Sequence, residues 1–194
     1  MLVWADTVLH GRVVSVTGGD VLTLVDAQQH EYKLCLAYID APELGQTFGD
    51  EAQAALAAAV LNRAVTVQTE GKAGDGCMLA EVFSPDGTNV NLELVRRGLA
   101  WHNYLDKHAS AMRDRYGAAS MEAQLERRGM WALDRLEPPK DYRARFERVM
   151  RWWFYAIATC AALAAVAGIY AAYGPRIDAW LAKQDEPEKS RAED

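Results

Sequence analysis

The stretch that decides the fold is VLHGRVVSVTGGDVLTLVDAQQHEYKLCLAYI, residues 8–39, in which turn residues separate three apolar runs. The runs begin at residues 8, 21 and 31. Each is rich in Val, Leu and Tyr and is bounded by Gly, Asp or Gln, the pattern of strands joined by turns. The spacing predicts an antiparallel meander of three strands that ends at Ile39.

The residues that follow predict helices and two further strands. An apolar residue recurs every fourth position, as on one face of a helix, at Phe48, Ala52, Leu56 and Val60. Residues 64–70 and 78–84 predict strands, and residues 90–97 and 112–127 predict helices, the second ended by Gly129. This order predicts a β-barrel plus α fold, a five-stranded OB-fold barrel capped by three helices.

A long uncharged segment follows the predicted barrel. Residues 152–173 read WWFYAIATCAALAAVAGIYAAY, and about 20 apolar residues suffice to cross a bilayer as a helix. A buried core helix is the alternative, but the aromatic residues at both ends favour a transmembrane helix. The predicted organisation is a barrel domain at 1–135, a basic juxtamembrane helix at 136–151, the transmembrane helix, and a short acidic tail at 174–194.

Basic residues flank this segment unevenly. The five that precede it are Lys140, Arg143, Arg145, Arg148 and Arg151. Arg176 and Lys183 follow it, ahead of the tail QDEPEKSRAED. The positive-inside rule therefore predicts a single-pass membrane protein with a cytoplasmic N-terminal domain and its C-terminal tail on the opposite side. The N-terminus MLVWADTVLHGR has no apolar core of a signal peptide, so no cleaved signal peptide is expected.

The charge of the chain disfavours nucleic acid as its main partner. The formal net charge is −6, and residues 1–135 carry all of it, with 12 Lys and Arg against 18 Asp and Glu. An acidic domain is poorly suited to grip a phosphate backbone. The three cysteines are too few for a disulfide scaffold.

The membrane segment is rich in small residues. Four of them are spaced three or four apart and lie on one face of a helix, namely Ala161, Ala164, Ala165 and Gly168. Because small residues let membrane helices pack closely, this face predicts an integral membrane protein partner. The alternative is that the helix is only an anchor, with the preceding arginines touching anionic lipid headgroups.

Four motifs in register resemble the staphylococcal nuclease (thermonuclease) family. They are Gly-Gly-Asp at 18–20, IDAPELGQTFGDEA at 39–52, VNLELVRRGLAW at 90–101 and RRGMW at 127–131. The resemblance covers about residues 8–133. It implies an OB-fold barrel capped by three helices and an ancestral activity, the calcium-dependent hydrolysis of phosphodiester bonds in DNA and RNA.

The carboxylates of the family carry over. By the resemblance, Asp20 and Asp40 are ligands of Ca²⁺, a hard cation that prefers oxygen, and Glu43 acts on the attacking water. Gly18 stands where the family often has a further aspartate, which reduces the negative charge around the metal. The alternative is that these residues persist because Asp and Glu suit a turn ahead of a helix.

Neither of the family's two phosphate-binding arginines carries over. Cys35 stands at the first position, five residues before Asp40, and Cys77 stands at the second. No neighbouring Arg or Lys is an obvious substitute, since Lys33 shares the strand face of Cys35 but would need an altered path to reach inward. Losing one preorganised donor costs roughly 3–4 kcal/mol, or about 10²–10³ in rate. Glu43 is therefore predicted to be a vestigial base, and nuclease activity to be absent or very weak.

The two cysteines leave several interpretations open. They could form a disulfide, bind a metal as thiolates together with Asp20 or Glu43, act as a redox pair, or be two small buried side chains. A cytosolic setting disfavours a stable disulfide and favours the last interpretation. Cys160 lies in the membrane segment and is predicted to be filler.

Two functions follow from this sequence. The favoured one is an accessory or scaffold subunit of a membrane protein complex, because the phosphate-binding arginines are missing and the domain is acidic. The alternative is a membrane-tethered calcium-dependent nuclease that retains Asp20, Asp40 and Glu43. No cofactor is certain, and calcium is expected only if the carboxylate site persists.

Overall fold

The computed structural model describes residues 8–72, 76–103 and 110–184. The chain divides into two compact units, Met1–Arg143 and Ala144–Asp194. The domain limits inferred from the sequence, with a boundary near residue 135, stay predictions.

Five strands close a barrel in the first unit. The strands of the chain are β1 (Val8–Val16), β2 (Val21–Asp26), β3 (Glu31–Leu36), β4 (Ile39–Asp40), β5 (Ala64–Lys72), β6 (Met78–Phe83) and β7 (Trp101–His102). The barrel order is β1-β2-β3-β6-β5, with β5 pairing back onto β1, and β4 and β7 form a separate two-stranded sheet. Neighbours in the barrel are antiparallel except β3 and β6, which are parallel. The five-stranded barrel predicted from the sequence is confirmed.

The third predicted strand is shorter than expected. β3 ends at Leu36 rather than Ile39, because Tyr38 adopts a left-handed backbone conformation with φ of 68° that interrupts the extended chain. The chain then resumes as β4, in which Ile39 pairs with His102 and Asp40 with Trp101. This break turns Asp40 away from the barrel ladder and fixes it against β7.

Four α-helices accompany the strands in the described residues. They are α1 (Gly49–Val60), α2 (Val90–Arg96), α3 (Ser110–Leu125) and α4 (Pro139–Gln184), with a 3₁₀ turn at Gly129–Ala132. The prediction that Gly129 ends the third helix is wrong. Arg127 takes the left-handed conformation there, with φ of 52°. The backbone N–H of Arg128 donates to the carbonyl of Ala123, which closes the last turn in the manner of a Schellman motif.

The core lies inside the barrel and under α1. Each of the five barrel strands contributes a fully buried side chain, and these include Val13, Leu22, Leu24, Leu34, Val67 and Val82. Three of the four apolar positions predicted for the first helix, Ala52, Leu56 and Val60, are also fully buried, whereas Phe48 is the residue that precedes α1. The fourfold recurrence of apolar residues in the sequence thus indicated the buried face of α1.

The apolar helix α4 is long enough to cross a membrane. Its candidate span, Pro139–Leu181, has a mean hydropathy of 1.8, and its most apolar window is 0% buried. A core helix of a soluble protein would have that window covered, so the alternative of a buried helix is not supported. The predicted basic helix and transmembrane helix form one continuous helix, consistent with a single-pass membrane anchor.

Candidate active site

Asp20 lies in the tight turn between β1 and β2. Gly19 allows this turn to approach α1 closely, since a Cβ on it would lie 2.7 Å from the Cβ atoms of Ala41 and Ala52. The backbone carbonyl of Asp20 accepts a hydrogen bond of 2.8 Å from the N–H of Leu36, and its Oδ2 accepts one of 3.0 Å from the N–H of Ala41. The turn therefore brings Asp20 next to the segment that carries Asp40.

Glu43 is held on the loop between β4 and α1. The N–H of Glu43 donates to Oε1 of Gln46 at 3.0 Å, and the Glu43 carbonyl accepts from the N–H of Gln46 at 2.9 Å. A Cβ on Gly49 would collide with that same carbonyl oxygen, so glycine is required where α1 begins. The loop geometry thus places Glu43 three residues beyond Asp40 on the same side of the barrel.

The three predicted carboxylates are close enough to affect one another. Burial raises the pKa of Asp20 to about 6, and the charges of Asp40 and Glu43 act in the same direction. The hydrogen bond from Ala41 and the positive charge of Arg143 oppose this rise in pKa but do not cancel it. The structure therefore places Asp20 close to Asp40 and Glu43, while the roles assigned to these three residues stay predictions.

A guanidinium group from α4 contacts two of these carboxylates. Arg143 Nη1 lies 3.0 Å from Oδ1 of Asp40 and 2.6 Å from Oε1 of Glu43, and its Nη2 lies 3.1 Å from Oδ2 of Asp40. Both oxygens of Asp40 are thus held by one planar fork, the geometry of a strong arginine–carboxylate pair. The side chain of Arg143 remains 45% exposed, so the contact is open to solvent.

Calcium does not fit the carboxylates in this arrangement. Ca²⁺ takes six to eight oxygen ligands, whereas no group of three or more His, Cys, Asp or Glu side chains among the described residues is arranged to hold a metal ion. Both oxygens of Asp40 are already engaged by Arg143. The assignment of Asp20 and Asp40 as metal ligands stays a prediction.

The two cysteines are joined to each other. Cys35 and Cys77 form a disulfide with a Cα–Cα distance of 5.8 Å, linking β3 to the residue just before β6. The interpretation of two unbonded side chains is therefore wrong. A thiolate metal site is also incompatible with this bond, since metal-binding thiolates must be free. Cys35 pairs with Val21, the residue after Asp20, so the disulfide lies beside the carboxylate turn.

Sequence reasoning missed the contribution of Arg143. It lies 103 residues from Asp40 and 100 residues from Glu43 along the chain. In the sequence it is one of five basic residues ahead of the apolar segment, and the positive-inside rule fully accounts for such a run. No local pattern distinguishes it from Arg145 or Arg148.

Comparison with known proteins agrees with the barrel and its motifs. The family described as staphylococcal nuclease homologue matches residues 33–133, just over half of the 194 residues. An uncharacterized endonuclease of Escherichia coli O157:H7 is 34% identical over 137 residues, which cover 71% of this chain and 86% of the relative. A micrococcal nuclease of Shigella flexneri is 32% identical over 149 residues, covering 72% of this chain and 82% of that protein. The chain belongs to the staphylococcal nuclease homologue family.

Proposed function

We propose that this chain is a membrane-anchored member of the family in which phosphodiester hydrolysis is suppressed, and that it serves as an accessory or scaffold subunit of a membrane protein complex. The observation that carries the proposal is the Cys35–Cys77 disulfide. It stands at both positions where the family resemblance implies arginines. A disulfide carries no positive charge and has no N–H to offer a phosphate, so the charge that develops during hydrolysis is not stabilised there.

The Arg143 contact supports the same proposal. A general base must reach the water whose proton it takes, but Glu43 Oε1 is held at 2.6 Å by a guanidinium of its own chain. Glu43 is 40% exposed, so a water can still approach its other oxygen. The contact with Arg143 nevertheless leaves only one of the two Glu43 oxygens free to accept a proton from that water.

The competing function is a membrane-tethered nuclease. It is supported by the three carboxylates that the structure brings together and by relatives whose names describe them as endonucleases or a micrococcal nuclease. For this function, phosphate contacts would have to come from outside the family's two arginine positions.

A nuclease assay on the full-length protein in detergent separates the two functions. Supercoiled plasmid and single-stranded RNA are incubated with the wild type and with Glu43→Gln, with calcium or with chelator. The Shigella flexneri relative provides the positive control. We expect no cleavage by the wild type beyond that of Glu43→Gln. Calcium-dependent cleavage that Glu43→Gln abolishes would overturn the proposal.

The barrel is proposed to face the cytosol, because five basic residues precede the apolar segment. The disulfide favours the opposite side, since cytosolic thiols are usually kept reduced. Cys77 is fully buried, which limits attack by a reductant because thiol exchange requires access to a sulfur. Protease added to intact cells should spare the barrel and trim only the tail after Gly174. Degradation of the barrel under those conditions would place it on the outer side.

A further inference from the structure

The contact between Arg143 and the carboxylates is supported by neighbouring contacts within the same unit. Gln46 Nε2, on the loop that holds Glu43, donates a hydrogen bond to the backbone carbonyl of Glu137. Gly45 lies near the hydroxyl of Tyr142, since a Cβ on it would be 3.5 Å from that oxygen. The start of α4 is therefore seated on the carboxylate loop by contacts that do not depend on the charge of Arg143.

Arg143 uses the same oxygens that a divalent cation would need. Three of its N–H···O contacts go to Asp40 and Glu43, and they engage both oxygens of Asp40. A guanidinium and a metal ion are both positive and cannot share these oxygens at contact distance without strong repulsion. Binding of one must therefore release the other.

We propose that Arg143 is an internal cation that occupies the Asp40–Glu43 carboxylates in place of a divalent metal and thereby keeps the site closed to it. The inference rests on the proposed suppression of hydrolysis. It gives a second cause of that suppression, the first being the loss of the two arginines. A cation reaches Asp40 only in the molecules whose Arg143 has moved away. The apparent affinity for the cation is therefore the intrinsic affinity multiplied by the fraction of molecules in that state.

Cation binding to the full-length protein in detergent tests this inference without reference to activity. The probes are Ca²⁺, followed by calorimetry, and Tb³⁺, followed by its luminescence. We expect Arg143→Gln to bind both ions about sixfold more tightly than the wild type, the factor expected if Arg143 leaves Asp40 in about a sixth of the molecules. Arg143→Lys keeps the charge but cannot grip both oxygens of Asp40, and its affinity should lie between the two.

Two further variants localise the effect. Arg148→Gln removes the same charge from the same helix without altering the Asp40 contact, and its cation affinity should match the wild type. Adding Asp40→Asn to Arg143→Gln should abolish the gain, because the released carboxylate is then missing. Circular dichroism checks that each variant is folded, and Arg143→Lys serves as the test if Arg143→Gln is not.

The outcomes distinguish this inference from the proposed function. Equal cation affinity in the wild type, Arg143→Gln and Arg143→Lys would overturn the inference, even if the nuclease assay shows no cleavage. An equal gain in Arg148→Gln would overturn it as well, because the effect would then be one of general charge. Cleavage by the wild type that Arg143→Gln abolishes would overturn both, since Arg143 would then act on the substrate.

Discussion

The carboxylate half and the cation half of the candidate site differ in whether they retain the residues that the family resemblance implies. The carboxylate half, formed by Asp20, Asp40 and Glu43, retains the residues that the family resemblance implies and holds them together on the β1–β2 turn, β4 and the loop after it. The cation half, formed by the positions of Cys35 and Cys77, has exchanged two charged side chains for one covalent bond. A positive charge is supplied instead by Arg143 of α4, which forms ion pairs with Asp40 and Glu43.

The largest expected effect comes from restoring the cation half. Cys35→Arg and Cys77→Arg, combined with Arg143→Gln to free Asp40, should raise the rate of plasmid nicking by at least about 10², the value of one preorganised donor. The matched control is Cys35→Ala and Cys77→Ala in the same Arg143→Gln background, which also lacks the disulfide but gains no charge. Equal rates in both variants would show that the carboxylate half is no longer competent.

The fold was more predictable than the site, and the reason is physical. Strand and helix periodicity depends on neighbours two to four residues apart, so the barrel strands and most of α1 could be identified from local pattern. The exceptions, the break at Tyr38 and the end of α3 at Arg127, depend on positive φ angles in residues other than glycine, which local patterns rarely reveal.

The site depended on long-range contacts. The carboxylates could be identified because they lie within recognisable motifs. The disulfide was one of the open interpretations, although the expected cytosolic setting disfavoured it. Its formation depends on how closely β3 approaches the start of β6. Arg143 could not be identified, because nothing within its own helix separates it from the other arginines and its partners lie about a hundred residues away.

Among the expected losses of unfolding free energy, the largest comes from removing the Cys35–Cys77 disulfide. It joins residues 42 apart in the sequence, for which the chain-entropy model gives about 4 kcal/mol. The double variant Cys35→Ala and Cys77→Ala should lose this amount of unfolding free energy in urea titrations. The wild type treated with reductant should lose a similar amount. A Cys160→Ala background removes the third cysteine from both comparisons. No effect of reductant added in denaturing urea, where both sulfurs are accessible, would mean that the bond is absent from the purified protein.

The buried carboxyl group of Glu81 contrasts with the more exposed carboxylates that pair with Arg143. Glu81 is 1% exposed and accepts hydrogen bonds from the Tyr116 hydroxyl at 2.6 Å and from Asn89 Nδ2 at 2.7 Å. Burial and the neighbouring Glu81 raise the pKa of Tyr116, so it stays a neutral donor. Tyr116→Phe should cost about 1–3 kcal/mol of unfolding free energy, because it leaves a buried acceptor less satisfied.

Arg143→Gln should lose less unfolding free energy than Tyr116→Phe. Its ion pairs are 23–45% exposed, and pairs open to solvent contribute about 0–1 kcal/mol. The comparison distinguishes Glu81 from Asp40 and Glu43 by how much the contacts of each carboxyl group contribute to the unfolding free energy. A loss of unfolding free energy in Arg143→Gln as large as that in Tyr116→Phe would indicate that the exposed pair serves chiefly to hold the fold.

The smallest expected effect concerns the small residues of α4. Ala164 and Gly168 lie one turn apart on the face of small residues, and bulky residues there would block close approach of a second helix. Ala164→Leu with Gly168→Leu should therefore reduce the size of the native complex purified in mild detergent, while membrane insertion is kept because leucine inserts well. Packing between membrane helices is the sum of many small van der Waals contacts, so a partial loss is expected. The matched control is Ala156→Leu with Ala167→Leu, which adds one carbon less in total and places the added bulk on another face of the helix at 100° per residue. An unchanged complex in both variants would remove the helix from the interface and leave the acidic barrel as the binding surface.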